Sequence, residues 1–195
     1  MADFIFYFNL GWFHIISKDA LDHLFFIVVL SVGYSFAQWR KILFLVTAFT
    51  IGHSLTLFLS VLNIIQFNEK YVEFAIPCTI VFSAAMNLYR GKLLDKTARI
   101  QYILALVFGF IHGMGFANSI RFMLTSDQHL LSSLFSFNLG LESGQIFVVL
   151  LLLFFVWLMA RINLKFPKYI VILFSVIILG LSFKMAIDRF LYLFN

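Results

Sequence analysis

The sequence predicts an all-α integral membrane protein, built as a six-transmembrane-helix bundle with a short aromatic N-terminal segment. Hydrophobic residues make up 63% of the 195 residues and charged residues only 12%, and the mean hydropathy is +1.01. Soluble domains carry about twice that charged fraction. Apolar stretches long enough to cross a hydrocarbon core of about 30 Å recur along the chain. The charged residues concentrate in the links between them.

The first 17 residues, "MADFIFYFNLGWFHIIS", are apolar but lack the features of a signal peptide. No Lys or Arg precedes Lys18, and no small-x-small cleavage site precedes a polar stretch. We therefore expect this segment to remain in the mature protein. It is shorter than a spanning helix and rich in Phe, Tyr and Trp, so we predict that it lies at the membrane interface.

Six apolar stretches of about 20 residues follow, and each is long enough to cross a bilayer as a helix. Charged links such as "RGKLLDKTAR" and "RINLKFPK" separate them. The whole chain, 1–195, is therefore predicted to form a single transmembrane domain. The predicted spans are about 20–38, 41–64, 71–89, 100–121, 134–159 and 169–190.

The basic residues predict the orientation of these spans. Cytoplasmic links of membrane proteins carry an excess of Lys and Arg, and the first, third and fifth links hold nine of the 14 basic residues. Both termini are therefore predicted to lie outside, with the protein in the cytoplasmic (inner) membrane. The nine residues are Arg40, Lys41, Arg90, Lys92, Lys96, Arg99, Arg161, Lys165 and Lys168.

Charge and cysteine content limit the partners and cofactors that we expect. The net charge of +5 is explained mainly by the links, and no basic patch interleaved with aromatic residues indicates nucleic-acid binding. Cys78 is the single cysteine, so neither an internal disulfide nor a cysteine-based metal site is expected. The expected partners are the lipid bilayer and a metal ion held by His, Asp, Glu or backbone oxygen.

Ionisable residues occur in every predicted span, and nearly all fall in the outer half. Such a group near the centre of a span costs roughly 2.5–3.5 kcal/mol on insertion scales, so it persists where it faces the bundle interior and finds partners. A shared depth indicates that these residues are one another's partners. They are Asp22, His23, His53, Glu73, His112, Glu142, Lys184 and Asp188.

Small residues surround these polar positions. Gly109, Gly113 and Ala117 form a GxxxGxxxA ridge, and Gly140 and Gly144 form a GxxxG ridge. Ridges of this kind allow helix backbones to approach each other closely. They bracket the polar residues of the fourth and fifth spans, which predicts a rigidly held site.

Each polar residue also has an ordinary structural interpretation. Asp22 fits the first turn of a helix, where the dipole favours an acidic side chain, and His14 fits an interfacial segment. His53 and His112 could form only interhelical hydrogen bonds. Glu142 is harder to explain in this way, because a buried carboxylate needs a proton, a cation or a strong donor. If all of these structural explanations hold, the protein is a purely structural or assembly subunit, which is one interpretation of the sequence.

Four motifs, spread in order over nearly the whole chain, resemble those of the HupE/UreJ family of membrane proteins. They are "GWFHIISKDALDHLFF", "FTIGHSLTL", "FGFIHGMGFANS" and "FNLGLESGQ". Two features depart from the founding members of that family: seven residues rather than five separate His14 from Asp22, and "HGMGFA" has one histidine and no Glu rather than two histidines and a Glu. The chain therefore resembles a divergent branch of the family.

The resemblance implies a six-span nickel permease, or a nickel- or cobalt-binding membrane protein, linked to hydrogenase or urease accessory systems. It assigns His14, Asp22 and His23 to the first-helix metal element. It also assigns His112 and Gly113 to the His-Gly element of the fourth span.

We therefore hypothesise a divalent-metal permease, with nickel as the expected ion and zinc or cobalt as alternatives. Because metal binding needs unprotonated imidazoles, the affinity is expected to fall as the pH falls through about 6.5. The ligands expected to capture the ion from outside are His14, Asp22 and His23. The ligands expected to hold it within the bundle are His53, His112 and Glu142.

The alternative hypothesis is a zinc-dependent intramembrane hydrolase or acyl-transfer enzyme that acts on a lipid-like substrate. The same ligands would hold zinc with one position open for water. Asp22 or Glu142 would act as general base, and Ser54 would orient the water or the substrate. The inner halves of the spans contain few polar residues, which favours a one-sided site, whereas a permease needs a polar route through the membrane.

Overall fold

A computed structural model of the chain describes residues 2–17, 20–89, 98–125 and 130–194. Within these ranges the secondary structure is helical and contains no strand, so the all-α fold class is confirmed. A 3-10 turn, Phe36–Gln38, precedes the third helix. The helices are α1 (Ala2–Ile16), α2 (Leu21–Ser31), α3 (Trp39–Val61), α4 (Glu69–Tyr89), α5 (Ala98–Thr125), α6 (Leu130–Ile162) and α7 (Phe166–Leu193).

Several of these helices have the length and composition of membrane spans. Large apolar side chains such as Phe44, Leu151 and Phe183 are exposed on the outside of the bundle, as expected where lipid is the solvent. These features support a multi-pass membrane protein. Among the described residues, four segments are long and apolar enough to cross a membrane: Phe36–Val61, Glu69–Tyr89, Leu130–Ile162 and Phe166–Leu193.

The first predicted span, 20–38, is not one continuous helix. α2 ends at Ser31 after 11 residues, which covers only about 16 Å at 1.5 Å per residue. Residues 32–35 then lead into the 3-10 turn. α2 by itself is therefore too short to cross the hydrocarbon core.

α1 packs along α6 through one face, which buries Tyr7 and Ile15, and its opposite face leaves Phe6 and Phe13 exposed. Ser136 Oγ donates a hydrogen bond to the carbonyl of Phe4. One turn further, a Cβ placed on Gly140 would lie only 2.8 Å from the carbonyl carbon of Phe8. Hydropathy could not predict this contact, because it depends on a glycine leaving room for a second backbone.

α1 and α2 lie end to end along α6. Ile15, near the end of α1, packs on Gly144 of α6. Val32, just after α2, belongs to a buried cluster with Leu152 and Val156, further along α6. Later residues of α1 and α2 therefore contact later residues of α6. This means that α1 and α2 both run parallel to α6, one after the other.

α3 and α5 form a second parallel pair, and the ridge predicted on the fourth span is its contact surface. A Cβ on Gly109 would lie 2.9 Å from the carbonyl carbon of Phe49. A Cβ on Gly113 would lie 2.9 Å from the Cα of His53. Only glycine permits backbones to approach this closely, and the approach brings the middle of α3 against the middle of α5.

α4 and α7 pack against each other in opposite directions. Phe74, near the start of α4, contacts Phe190, near the end of α7, with 5.6 Å between ring centroids. This packing places the start of α4 and the end of α7 at the same end of the bundle. The two helices close the side of the bundle next to α2 and α5.

Candidate metal centre

Four histidines from four helices meet inside the bundle. His14 lies in the last turn of α1, and His23 lies at the start of α2. Their rings are neighbours because α2 begins close to where α1 ends. His53 and His112 come from the middle of α3 and α5, which the glycine contacts hold together.

His23 lies at the centre of this group. Its ring centroid is 4.6 Å from that of His14, 5.0 Å from that of His112 and 5.7 Å from that of His53. One ligand atom from each of His14, His23 and His53 lies within 4.8 Å of the other two. Tetrahedral nitrogens about 2.1 Å from a zinc ion lie roughly 3.4 Å apart. Small side-chain rotations would therefore complete a three-nitrogen site, with His112 beside it.

Hydrogen bonds orient two of the four rings. His23 Nδ1 lies 3.0 Å from Asp22 Oδ1, and the same oxygen accepts the backbone N–H of His23 at 2.8 Å. His112 Nδ1 lies 2.8 Å from the carbonyl oxygen of Phe108. Both oxygens accept, so Nδ1 of each ring carries the hydrogen and Nε2 keeps its lone pair. Carboxylates and carbonyls orient metal-binding histidines in this way.

The nitrogens that remain have no protein partner. Among the described residues, the Nε2 atoms of His14, His23, His53 and His112 are buried without a hydrogen bond, and so is Nδ1 of His53. His53 and His112 are 0% exposed. A buried polar atom left unpaired costs about 1–3 kcal/mol. Such a concentration at one point is explained if these nitrogens bind an ion.

Aromatic side chains enclose the four imidazoles. Phe116 lies against His14, with 3.9 Å between ring centroids, and stacks on Phe137 on its other side. Phe49 and Phe26 contact His112, at 5.2 Å and 5.3 Å. These rings surround the imidazoles with apolar surface.

A cavity of about 160 Å³, which we call the outer cavity, reaches the histidines from the end of the bundle where α4 begins and α7 ends. His14, His23, His112 and Asp22 line its inner part. An ion pair bridges α4 and α7 at the same cavity. Arg189 Nε lies 3.2 Å from Glu73 Oε2, and Arg189 Nη1 donates to the Glu73 carbonyl at 2.8 Å.

The ligands predicted from the sequence include neither Glu73 nor Arg189, although Glu73 is among the ionisable residues of the outer halves. Both lie near the outer ends of their predicted spans, and this shared depth of opposite charges was the available signal. It was insufficient because hydropathy does not show which helices are neighbours. The antiparallel packing of α4 and α7 supplies that information.

Glu142 and Ser54 are not part of the histidine group. Glu142 Oε1 accepts a hydrogen bond of 2.6 Å from Thr47 Oγ1. Thr47 precedes His53 by six residues, which is about 9 Å along α3. Ser54 Oγ donates to the carbonyl of Thr50 at 2.6 Å. The structure therefore brings His14, Asp22, His23, His53 and His112 together and places Glu142 elsewhere on the α3–α6 contact.

The comparison with known protein families agrees with the sequence motifs. The family model described as "HupE / UreJ protein" matches residues 1–189 of the chain. The match includes all four helices that supply the histidines. No curated protein and no solved structure matches the chain. The resemblance predicted from the four motifs is thus confirmed, and the chain belongs to the HupE/UreJ family.

Proposed function

We propose that this protein binds a divalent transition-metal ion at its histidine group and carries it across the membrane. One observation carries the proposal: ligand atoms of His14, His23 and His53 lie within 4.8 Å of one another, and their Nε2 atoms lack a protein partner. Imidazole suits nickel, zinc, cobalt and copper(II), whereas magnesium and calcium prefer oxygen ligands. Family membership favours nickel as the transported ion.

The arrangement of α1 and α2 supports transport. Secondary transporters often bind their ions where a discontinuous helix is interrupted near the middle of the membrane. His14 and His23 lie on the two sides of such an interruption. The oriented ring of His23 and the last turn of α1 then hold the ion between the end of one helix and the start of the next.

In our proposal, α1 and α2 together cross the membrane once. With α3, α4, α5, α6 and α7, they make six crossings. The chain then forms one transmembrane domain with both termini outside, in the cytoplasmic membrane. The basic links favour this orientation. Among the residues of the third link, Arg90, Lys92 and Lys96 lie outside the described residues.

The donor set favours binding that is reversible. Asp22 is the only carboxylate in contact with the histidine group among the described residues, and it acts through His23. A single carboxylate neutralises only half of the charge of a divalent ion, so a bound ion keeps a net positive charge in the site. Conduction requires binding that is strong enough to admit an ion and weak enough to release it.

Titration of the detergent-purified protein with nickel tests the site. We expect about one ion per chain for the wild type, and loss of binding in His53→Ala and His112→Ala. His129→Ala is the control, since His129 is the one histidine that none of the four family motifs contains. Equal binding by all four proteins would exclude this metal centre.

Nickel uptake into proteoliposomes tests transport separately from binding. We expect uptake by the wild type and by His129→Ala, and none by His53→Ala. A protein that binds nickel, remains folded in the membrane and moves neither nickel, cobalt nor zinc would not be a permease.

One observation favours an enzyme as the second candidate. His14, His23 and His53 could supply three ligands, and His14 and His23 line a cavity of about 160 Å³ that has room for a water as the fourth ligand, as in catalytic zinc sites. Zinc would then lower the pKa of a bound water. About one zinc per chain that survives dialysis, together with no uptake of any metal, would support the enzyme and reject the permease.

A further inference from the structure

Three phenylalanines separate the metal centre from the opposite end of the bundle. We call Phe26 of α2, Phe49 of α3 and Phe108 of α5 the aromatic plug. The Phe26 ring centroid lies 4.9 Å from that of Phe49 and 5.6 Å from that of Phe108. It also lies 5.3 Å from that of His112. The three side chains are 0%, 1% and 8% exposed, so no open passage crosses the plug.

The aromatic plug lies on the inner side of the metal centre. Phe26 follows His23 by three residues on α2, which runs inward in the proposed topology. Phe108 precedes His112 by four residues on α5, which runs outward. Each step is about 4.5–6 Å along its helix axis, so both rings lie one turn deeper than the metal ligands.

Two cavities with some polar lining lie beyond the plug. A cavity of about 30 Å³, the middle cavity, is lined by Phe108 itself and by Ser83, Asn87 and Gln101. This volume is enough for water. Asn87 also lines a cavity of about 670 Å³, the inner cavity, which Lys168 lines where α7 begins. The plug is therefore the apolar barrier between the outer cavity and two cavities that lead to the inner side.

We propose that Phe26 and Phe108 form the closed inner gate of the metal route, and that the described conformation is open to the outside. This inference rests on the proposed permease function. After binding, the ion leaves the histidines inward, past the gate and along Ser83 and Asn87. The sparse polar residues of the inner halves are then the lining of this exit.

α2 links the ion to the gate. His23 and Phe26 are three residues apart, so both project from the same face of α2. α2 is short and is bounded by residues 17–20 and 32–35, which lie outside α-helix or are not described. Short helices between such boundaries can shift as rigid units. A shift of α2 that follows a change at His23 therefore moves the Phe26 ring.

Thiol labelling from the two sides of the membrane tests the gate without using metal. Cys78→Ser removes the single native cysteine. Ser83→Cys then reports on the middle cavity, and Ala20→Cys reports on the outer cavity. The probe is a small charged methanethiosulfonate added to right-side-out or inverted vesicles. We expect Ala20→Cys to react from outside and Ser83→Cys to remain unreactive from outside.

Removing a gate ring should open the route. In Phe26→Ala or Phe108→Ala, we expect Ser83→Cys to react from outside at least roughly tenfold faster, which is about 1.4 kcal/mol off the barrier. Phe26→Leu keeps most of the apolar volume and should give a smaller increase. Phe116→Ala is the matched control, because Phe116 contacts His14 on the outer-cavity side and its loss should leave Ser83→Cys unreactive.

Three outcomes would overturn the gate. Ser83→Cys could react from outside while Phe26 and Phe108 are present, it could stay unreactive when either ring is removed, or Phe116→Ala could open the route equally well. Ala20→Cys labelling in every background verifies that the outer cavity is still formed. If the labelling results hold and nickel does not bind, the gate stands as an aqueous barrier and the proposed metal function fails by itself.

Discussion

Asp22 holds His23 through two contacts of a single oxygen: Oδ1 accepts the backbone N–H at 2.8 Å and lies 3.0 Å from Nδ1 of the ring. This arrangement leaves Nε2 of His23 buried and without a partner of its own. The carboxylate lies beside His23 at the start of α2, where the partial positive charge of the helix dipole favours it. Asp22 is therefore a positioning residue, and it also supplies negative charge near a bound cation.

Asp22→Asn should weaken metal binding about 10–100-fold, the usual cost of losing the outer partner of a ligating histidine. Calorimetric titration with nickel measures the change. Asp188→Asn is the matched control, because Asp188 is exposed on α7. Unchanged affinity in Asp22→Asn would show that the carboxylate does not position His23.

Glu142→Gln should leave nickel affinity within about twofold of wild type, since Glu142 bonds to Thr47 rather than to the histidines. The same titration checks this expectation. A loss of affinity comparable to that of His53→Ala would return Glu142 to the ligand set predicted from the sequence. Thr47→Val should instead lower stability by about 1–3 kcal/mol, because it leaves the partly buried carboxylate without its donor.

Arg189→Gln should speed the association of nickel at low ionic strength, and Glu73→Gln should slow it. The pair bridges α4 and α7 at the outer cavity, and charges at such a position change on-rates more than they change binding within the site. Stopped-flow kinetics at two salt concentrations measures the effect, which should shrink as salt screens it. Rates independent of both substitutions would place the metal entrance elsewhere.

Gly109→Leu should prevent α3 and α5 from packing and lower the thermal stability of the detergent-solubilised protein. An added Cβ would already lie 2.9 Å from the carbonyl carbon of Phe49, which is backbone and cannot rotate away. Gly180→Ala is the control, because nothing lies within 4 Å of a Cβ at that position. It should be neutral or stabilising by up to about 1 kcal/mol. An unchanged melting temperature in Gly109→Leu would contradict this packing.

Composition by itself predicted the solvent of this protein and therefore its fold class. A chain with 63% hydrophobic residues has too few charges for a water-exposed surface, and only helices or closed barrels satisfy a backbone in lipid. The glycine spacing predicted where backbones approach, because no larger residue fits there. The scarcity of ionisable residues in apolar spans made His23, His53 and His112 candidates for a shared site.

Tertiary packing decided which helices are neighbours, and the pattern of residues along the sequence does not contain this information. α1 is shorter than a membrane span, yet its close contacts with Gly140 and Gly144 hold it against α6. This packing places His14 beside His23. Glu142 has a side chain that can bind a metal, but the rotation of α6 about its axis directs this carboxylate to Thr47. Glu73 and Arg189 are distant in sequence and meet because α4 and α7 are antiparallel neighbours. Hydropathy and spacing report depth and helix face, whereas the identity of neighbouring helices depends on three-dimensional contacts between them.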